Sequence, residues 1–172
     1  LGVAFDGKFD RLELPALKLG VAGTPAAFND VCVQRRPGLR IADIAYSIGG
    51  QEVGRVRCDG VVVATPAGST GYNLANGGPV VAWGVEGFAV SFIAPHSLTA
   101  RSLVVAPDDR VKLSNRSSSE PVDLMVDGRP VGEIPAGESA EVEFVRSAAI
   151  LAQLPDSSFY HRLREKFGRL AS

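Results

Sequence analysis

The chain has 172 residues, with 18 basic and 19 acidic side chains for a formal net charge of −1. That length suits one domain able to bury about two thirds of its unfolded surface, and the balanced charge gives no electrostatic reason to expect nucleic acid or an anionic membrane as partner. No apolar run approaches the ~20 residues of a spanning helix, and the N-terminus lacks the basic, apolar, small-residue order of a secretion signal.

Leu1 to Ala22 alternates loosely, and Asp6-Gly7 between Phe5 and Phe9 is a hairpin signal, so two or three short strands are expected. Pro25 to Val33 leads into a strand at Val31, with Asn29-Asp30 at its entry. Asn brings a donor and an acceptor, and Asp brings two acceptors. Together they can hold ribose hydroxyls or an amide, or simply form an Asx turn before the strand. Gln34 to Arg40 is basic and turn-rich and reads as a solvated loop, with Arg35 and Arg36 as weak candidates for a phosphate. Ile41 to Ile48 places Ile44, Tyr46 and Ile48 on one face. Gly49-Gly50 turns the chain, and Gln51 to Asp59 alternates Val53 and Val56 against Arg55 and Arg57, which predicts a hairpin. Arg57 and Asp59 lie two apart on one face, where they either pair with each other in solvent or serve a ligand site.

The stretch Asp59 to Val81 organises the chain. Val61 to Ala64 is a buried strand by its unbroken apolar run, followed by Thr65-Pro66, the turn Ala67-Gly68-Ser69-Thr70-Gly71, and one or two helical turns over Tyr72 to Asn76. Gly77-Gly78-Pro79 stops that helix. A strand feeding a Gly/Ser/Thr turn at a helix start suits an anion or a ribose, because the first helical N–H groups are unpaired and small residues let a ligand approach the backbone. The spacing is not that of a P-loop, since no Lys follows the glycines. The plain alternative is a helix N-capped by Ser or Thr.

From Val80 to Ala94, Gly84 and Gly87 mark a turn between two strands, and Trp83 and Phe88 read as packing residues. His96 in Pro95-His96-Ser97-Leu98 has no legible nucleophile or carboxylate partner and reads as shaping a cleft. Arg101 precedes a buried strand at Leu103 to Val105. Asp108 to Val145 reads as a run of hairpins with turns every 8 to 12 residues, including a two-residue turn at Asp127-Gly128. Ala148 to Leu154 is a last strand. Leu163 and Phe167, four apart with basic residues between them, predict a short amphipathic helix over Tyr160 to Phe167 that docks on the domain. The class expected is mainly β: a multi-stranded antiparallel sandwich-like domain with one short helix after the Gly-Ser-Thr turn and a short C-terminal helix. Cys32 and Cys58, each beside apolar strand residues, suit reduced core positions in a cytoplasmic protein, and no Cys/His cluster has metal-ligand spacing.

Asp59-Gly60, the apolar run, T-P-A-G-S-T-G-Y at Thr65 to Tyr72 and G-G-P at Gly77 to Pro79 resemble the signature of the bacterial NAD kinases, the polyphosphate/ATP-NAD kinases. F-N-D-V at Phe28 to Val31 and P-H-S-L-T-A-R at Pro95 to Arg101 are similar to that family's other blocks, in the same order. The likeness thins through V-D-G-R at Val126 to Arg129 and F-Y-H-R-L-R-E-K-F at Phe159 to Phe167. The resemblance implies an enzyme that moves the γ-phosphoryl of ATP, or a phosphate of polyphosphate, to the adenosine-ribose 2′-hydroxyl of NAD, giving NADP, with a divalent metal, Mg, in the complete enzyme. It also implies two domains. An N-terminal α/β domain carries Gly-Gly-Asp-Gly, whose Asp helps activate the hydroxyl and organise the metal. This chain has no Gly-Gly-Asp-Gly and no βαβ pattern before Asn29, and it opens on Leu1. Residues 1–172 are therefore expected to be the C-terminal, dinucleotide-binding and oligomerising domain alone, inactive by itself, with no catalytic or metal-binding residue of its own.

By the same resemblance the dinucleotide-binding residues are Asn29, Asp30, Arg57, Asp59, Ala67, Thr70, Gly71, Tyr72, Asn73, Leu74, Ala75, Ala94 and Arg129. Asp59 is expected to reach a neighbour's site in a dimer or tetramer. The chain departs from the family where Ala67 replaces Thr or Ser, Gly71 replaces Ala, Ala75-Asn76 replace Ser-Ala, and Arg129 follows Asp-Gly where some relatives have Gln. A lost hydrogen bond between neutral groups is worth about 1 kcal/mol net, so weaker binding is the expected effect. Two other readings stay open: a lipid- or sphingoid-kinase C-terminal domain, against which the Asn-Asp pair and P-H-S-L speak, and a non-catalytic domain that binds a nucleotide or only oligomerises.

Overall fold

Period-two alternation makes one face of each strand apolar, and two sheets bury those faces against each other. The structure is a computed structural model describing residues 9–154 and 158–168. In chain order it contains β1 (Asp10–Leu19), β2 (Asp30–Arg35), β3 (Ala42–Ile48), β4 (Gln51–Cys58), β5 (Gly60–Ala64), a 3-10 turn (Gly68–Thr70), α1 (Tyr72–Ala75), β6 (Phe88–Ile93), β7 (Leu103–Val105), β8 (Val111–Asn115), β9 (Val122–Val126), β10 (Arg129–Ile134), β11 (Ser139–Gln153) and α2 (Phe159–Phe167). One sheet runs β1-β11-β8-β3-β4 and the other β10-β9-β2-β5-β6-β7. The pairings are antiparallel. This is the expected mainly β sandwich with its two short helices.

The core lies between the sheets. Leu17, Ile44, Leu113 and Val142 of the first meet Val31, Val33, Val61, Val63 and Leu124 of the second. Phe88 stacks on Phe144 across the gap, with ring centroids 5.8 Å apart. Central strand β5 is buried along its whole length. Val61 and Val63 face the core, while Val62 and Ala64 join Cys32 in a second apolar cluster on the outer face. Cover on both faces is why its sequence reads as one apolar run.

Several expectations change. Asp108 to Val145 is not a series of sequential hairpins. β8 pairs with β11 and β3, whereas β9 pairs with β10 and β2, so the chain crosses between sheets on both sides of the β9–β10 hairpin. The expected strand before Gly84 is irregular backbone. β7 is an edge strand with Val104 half exposed, not a buried one. The last strand is the continuation of β11, bent where the register skips between Leu14 and Ala16, with Ser147 at φ 52°. Pro15 sits at that skip and has no N–H to give a ladder. Among the described residues, Leu1 to Ala22 yields one strand, β1; the Asp6-Gly7 turn lies outside them. No helix among the described residues is long and apolar enough to cross a membrane.

Candidate functional site

The central strand delivers the chain to the Gly-Ser-Thr turn, and buried hydrogen bonds fix the turn from inside. Thr65 donates its N–H to the Asn29 carbonyl at 2.9 Å. Its hydroxyl donates to the Phe28 carbonyl at 2.7 Å and accepts the Gly68 N–H at 3.0 Å. Ser69 is fully buried; its hydroxyl donates to the Pro66 carbonyl at 2.7 Å and accepts the Val81 N–H at 2.9 Å. Asn73, also fully buried, donates to the carbonyls of Ser69 at 2.9 Å and Pro79 at 3.0 Å. Neither the 3-10 turn nor α1 carries a side-chain cap. Neither Ser69 nor Thr70 therefore caps a helix: Ser69 points inward and joins Pro66 to Val81, while Thr65 takes the first N–H of the 3-10 turn. Gly68 presses on the segment before β2: a Cβ there would lie 1.9 Å from the Asn29 carbonyl oxygen.

That segment is held from its other side by Asp127. The Asp127 carboxylate accepts the N–H groups of Phe28 at 3.0 Å, Asn29 at 2.7 Å and Asp30 at 3.1 Å. Asp30 is buried at the start of β2, and burial, then the charge of Asp127, pushes its carboxyl above the ordinary value of 3.8. Three blocks distant in sequence thus meet at one end of the outer face of the six-stranded sheet: Phe28-Asn29-Asp30, the Thr65–Asn73 turn and the Asp127-Gly128 hairpin. Asp127 is the residue sequence reading missed. Its hairpin role was legible, but its bond partners lie in another strand.

Along β2 and β5 the pairing runs from Asp30 opposite Ala64 to Gln34 opposite Gly60. That is about 13 Å at the usual rise per residue. At the far end, Tyr72 of α1 closes a cleft of about 230 Å³ with Gln34, Arg35, Pro37, Asp59 and Ile93. Burial raises the Tyr72 phenol above its ordinary value. Asp59 does not pair with Arg57. Its carboxylate accepts from Arg35 Nε at 2.5 Å. The reason is that β4 ends at Cys58 and the chain there crosses to the other sheet, so the two-residue same-face rule stops applying. Arg36 pairs with Asp123 at 2.7 Å and with Glu133, so neither Arg35 nor Arg36, the two phosphate candidates, is a free cation.

The other candidates spread out from these two clusters. Ala94 follows β6 beside Asp59, whose N–H donates to the Ile93 carbonyl at 2.8 Å, and has φ 42°. Gly71 and Ala75 are exposed and Leu74 half-buried along α1; Ala67 is half-buried in the turn. Thr70 faces a cleft of about 200 Å³ under α2, with Trp83, Phe159 and Arg162. Arg57 faces a separate cleft of about 290 Å³ with Arg40, Arg55 and Arg116. Arg129 is exposed at the start of β10. A cleft of about 400 Å³ joins Asn76, Gly77 and Pro79 to Pro95 and Arg101. The backbone N–H of His96 donates to the Arg57 carbonyl at 2.8 Å, which anchors that loop. Among the described residues no group of three or more His, Cys, Asp and Glu is placed to hold a metal ion.

Two stacked antiparallel sheets with an inward-stapled turn after the central strand define a mainly β domain of the sandwich class. The model of the ATP-NAD kinase C-terminal domain family matches residues 28–153. The chain belongs to that family. It is 39% identical over 147 residues to the NAD kinase of Lachnoclostridium phytofermentans, covering 83% of this chain and 52% of that protein. It is 38% identical over 156 residues to the NAD kinase of Symbiobacterium thermophilum, covering 90% and 55%. The chain spans about half the length of the curated relatives it matches. Among solved structures, a yeast NADH kinase complexed with NADH superposes at TM-score 0.88 with 22% identity, covering 99% of this chain and 54% of that one; at that identity it shows the fold alone. An NAD kinase from Archaeoglobus fulgidus in complex with ATP superposes at 0.77 with 26% identity, covering 98% and 63%.

Proposed function

We propose that residues 1–172 form the dinucleotide-binding domain of an NAD kinase. Its whole protein moves a phosphoryl group from ATP or polyphosphate to the adenosine-ribose 2′-hydroxyl of NAD and yields NADP. The observation carrying this reading is that the segment leading into Asp30 meets the Thr65–Asn73 turn through Thr65 bonds to the Phe28 and Asn29 carbonyls, within a chain whose family is that of the ATP-NAD kinases. In this reading Asn29 and Asp30 hold ribose hydroxyls or an amide. Gly71, Tyr72, Leu74 and Ala75 line the path of the ligand along α1, with Ala67 and Thr70 in the turn before it. Asn73 serves by keeping the turn closed. Asp59 shares a cleft with Tyr72, with Ala94 following β6 beside it; together with Arg57, which faces its own cleft, they complete a site with a second copy in a dimer or tetramer, with Arg129 at its rim. Phosphoryl transfer depends mostly on positioning and charge stabilisation. The residues that activate the hydroxyl and hold Mg belong to the other half of the whole protein, so this domain binds without turning over.

A second reading, a non-catalytic nucleotide-binding domain, draws on Ala67 and Ala75, which offer no hydroxyl. Titration calorimetry of the chain with NAD and with NADP, repeated on Asn29→Ala, tests the first. Saturable binding that the substitution abolishes is expected. Undiminished binding by the variant removes Asn29 from the site, and phosphorylation of NAD by the whole protein decides against the second reading.

A further inference from the structure

Asp127 does more than turn a hairpin. Its two carboxylate oxygens take three consecutive main-chain donors: Phe28 N–H at 3.0 Å, Asn29 N–H at 2.7 Å and Asp30 N–H at 3.1 Å. Successive N–H groups converging on one point form an anion-binding concavity. Here the anion is a side chain of the protein, supplied from a hairpin almost a hundred residues further along. The carbonyls of the same segment are taken as well. Phe28 O accepts the Thr65 hydroxyl at 2.7 Å, Asn29 O accepts Thr65 N–H at 2.9 Å, and Asp30 O accepts Asp127 N–H at 2.9 Å. Every backbone polar group of residues 28–30 is therefore satisfied from within. The Asn29 side chain is exposed and makes no hydrogen bond among the described residues, so it is the free polar group the segment presents.

The clamp is itself held rigidly. Asp127 at φ 46° and Gly128 at φ 74° form the two-residue turn between β9 and β10, with Arg129 opposite Val126. Both central residues at positive φ give a turn of type I′, and Asp is one of the few side chains that tolerates that region. We propose that Asp127 is a positioning residue for dinucleotide binding, its carboxylate fixing the Phe28–Asp30 backbone so that the Asn29 amide meets the ligand in one orientation. This rests on the dinucleotide reading above.

The test uses the full chain. Asp127→Asn keeps the turn, because Asn also tolerates positive φ. It replaces one acceptor oxygen by an NH₂ group that faces N–H donors. Two-dimensional ¹H–¹⁵N spectra and NAD calorimetry are measured on wild type and variant. In the wild type the three amide protons, bonded to a carboxylate, resonate downfield. In the folded variant they move upfield together, and NAD affinity falls at least tenfold. A folded variant with the three amides displaced but NAD affinity unchanged overturns the proposal, and leaves the dinucleotide reading standing if Asn29→Ala still abolishes binding. A wild-type chain that binds no NAD at millimolar ligand sinks the dinucleotide reading and this inference with it, and the clamp is then purely structural. If Asp127→Asn does not fold, NAD titration of the wild type decides: the Asn29 side-chain amide moves while the backbone amides of 28–30 stay put. Backbone amides that shift as far as the side chain show a segment not set in advance, which refutes the proposal.

Discussion

Burying a carboxyl is costly unless it is neutral or paired, and Asp30 is 8% exposed with the Asp127 charge nearby. Its folded-state pKa lies above the ordinary 3.8, raised first by burial and then by Asp127. Between those two values the folded state holds more protons than the unfolded one, so stability falls as pH rises through the window. Asp30→Asn removes that loss. The variant is expected to melt higher than wild type at pH 7, with the difference shrinking as pH drops below 3.8. Thermal melts from pH 3 to 7 check this, and a pH-independent difference means that Asp30 is not the source. Gly68 makes the opposite case. A Cβ would meet the Asn29 carbonyl at 1.9 Å, a backbone atom already bonded to Thr65. Overpacking against rigid neighbours costs about 3 kcal/mol, so Gly68→Ala is expected to lower the urea midpoint and to displace Asn29. A variant as stable as wild type would show that the turn and the Asn29 segment move apart freely.

At the scale of elements, α2 has nine residues, too few to hold helical structure alone in water. Ser158 caps it by accepting the His161 N–H at 3.2 Å. Trp83 docks it, with the Phe159 ring centroid at 5.8 Å and the Arg162 guanidinium 5.2 Å from the indole centroid. Ring packing and a cation–π contact together contribute about 2 kcal/mol, roughly a thirtyfold change in the undocked population. Trp83→Ala should therefore speed limited trypsin cleavage after Arg162, Arg164 and Lys166 without unfolding the sandwich, and an unchanged cleavage rate would mean another contact holds the helix. The helix was legible in the sequence from Leu163 and Phe167, and the strands from β5's apolar run and the Gly49-Gly50 turn, because period and turn chemistry are local. Partnership was not. Nothing near β8 or β9 says that they enter different sheets. Nothing near Asp59 says that Arg35 rather than Arg57 is its partner, or near Asp127 that its bonds go to Phe28–Asp30. Those choices follow from how the sheets stack. The residue types of the candidate site could be read along the chain, but the bonds that orient them could not.

Across the whole molecule, the sandwich buries two free thiols on opposite sides of the six-stranded sheet's face, Cys58 in the inter-sheet core and Cys32 in the outer cluster. Burial pushes each up to about 12 from an ordinary value of 9.0, with the Asp30 charge adding to the effect on Cys32. A group whose folded pKa is raised contributes its full stability below the unfolded value and loses it as pH rises toward the folded one. From pH 9 upward the unfolded chain releases protons that the folded chain keeps, so folding stability must fall. Each fully titrating thiol sets a limiting slope of about 1.4 kcal/mol per pH unit. Urea unfolding under reducing conditions at pH 7, 9.5 and 10.5 measures it, with a Cys32→Ala/Cys58→Ala double variant as reference so that tyrosines and lysines cancel. The cavities left by the alanines lower the variant's stability by an amount that does not depend on pH. The two curves are expected to run parallel below pH 9 and to converge above it, as wild type loses what the variant never had. Curves that stay parallel to pH 10.5 would mean the thiols ionise in the folded protein, and that the sheets open to water far more readily than their packing implies.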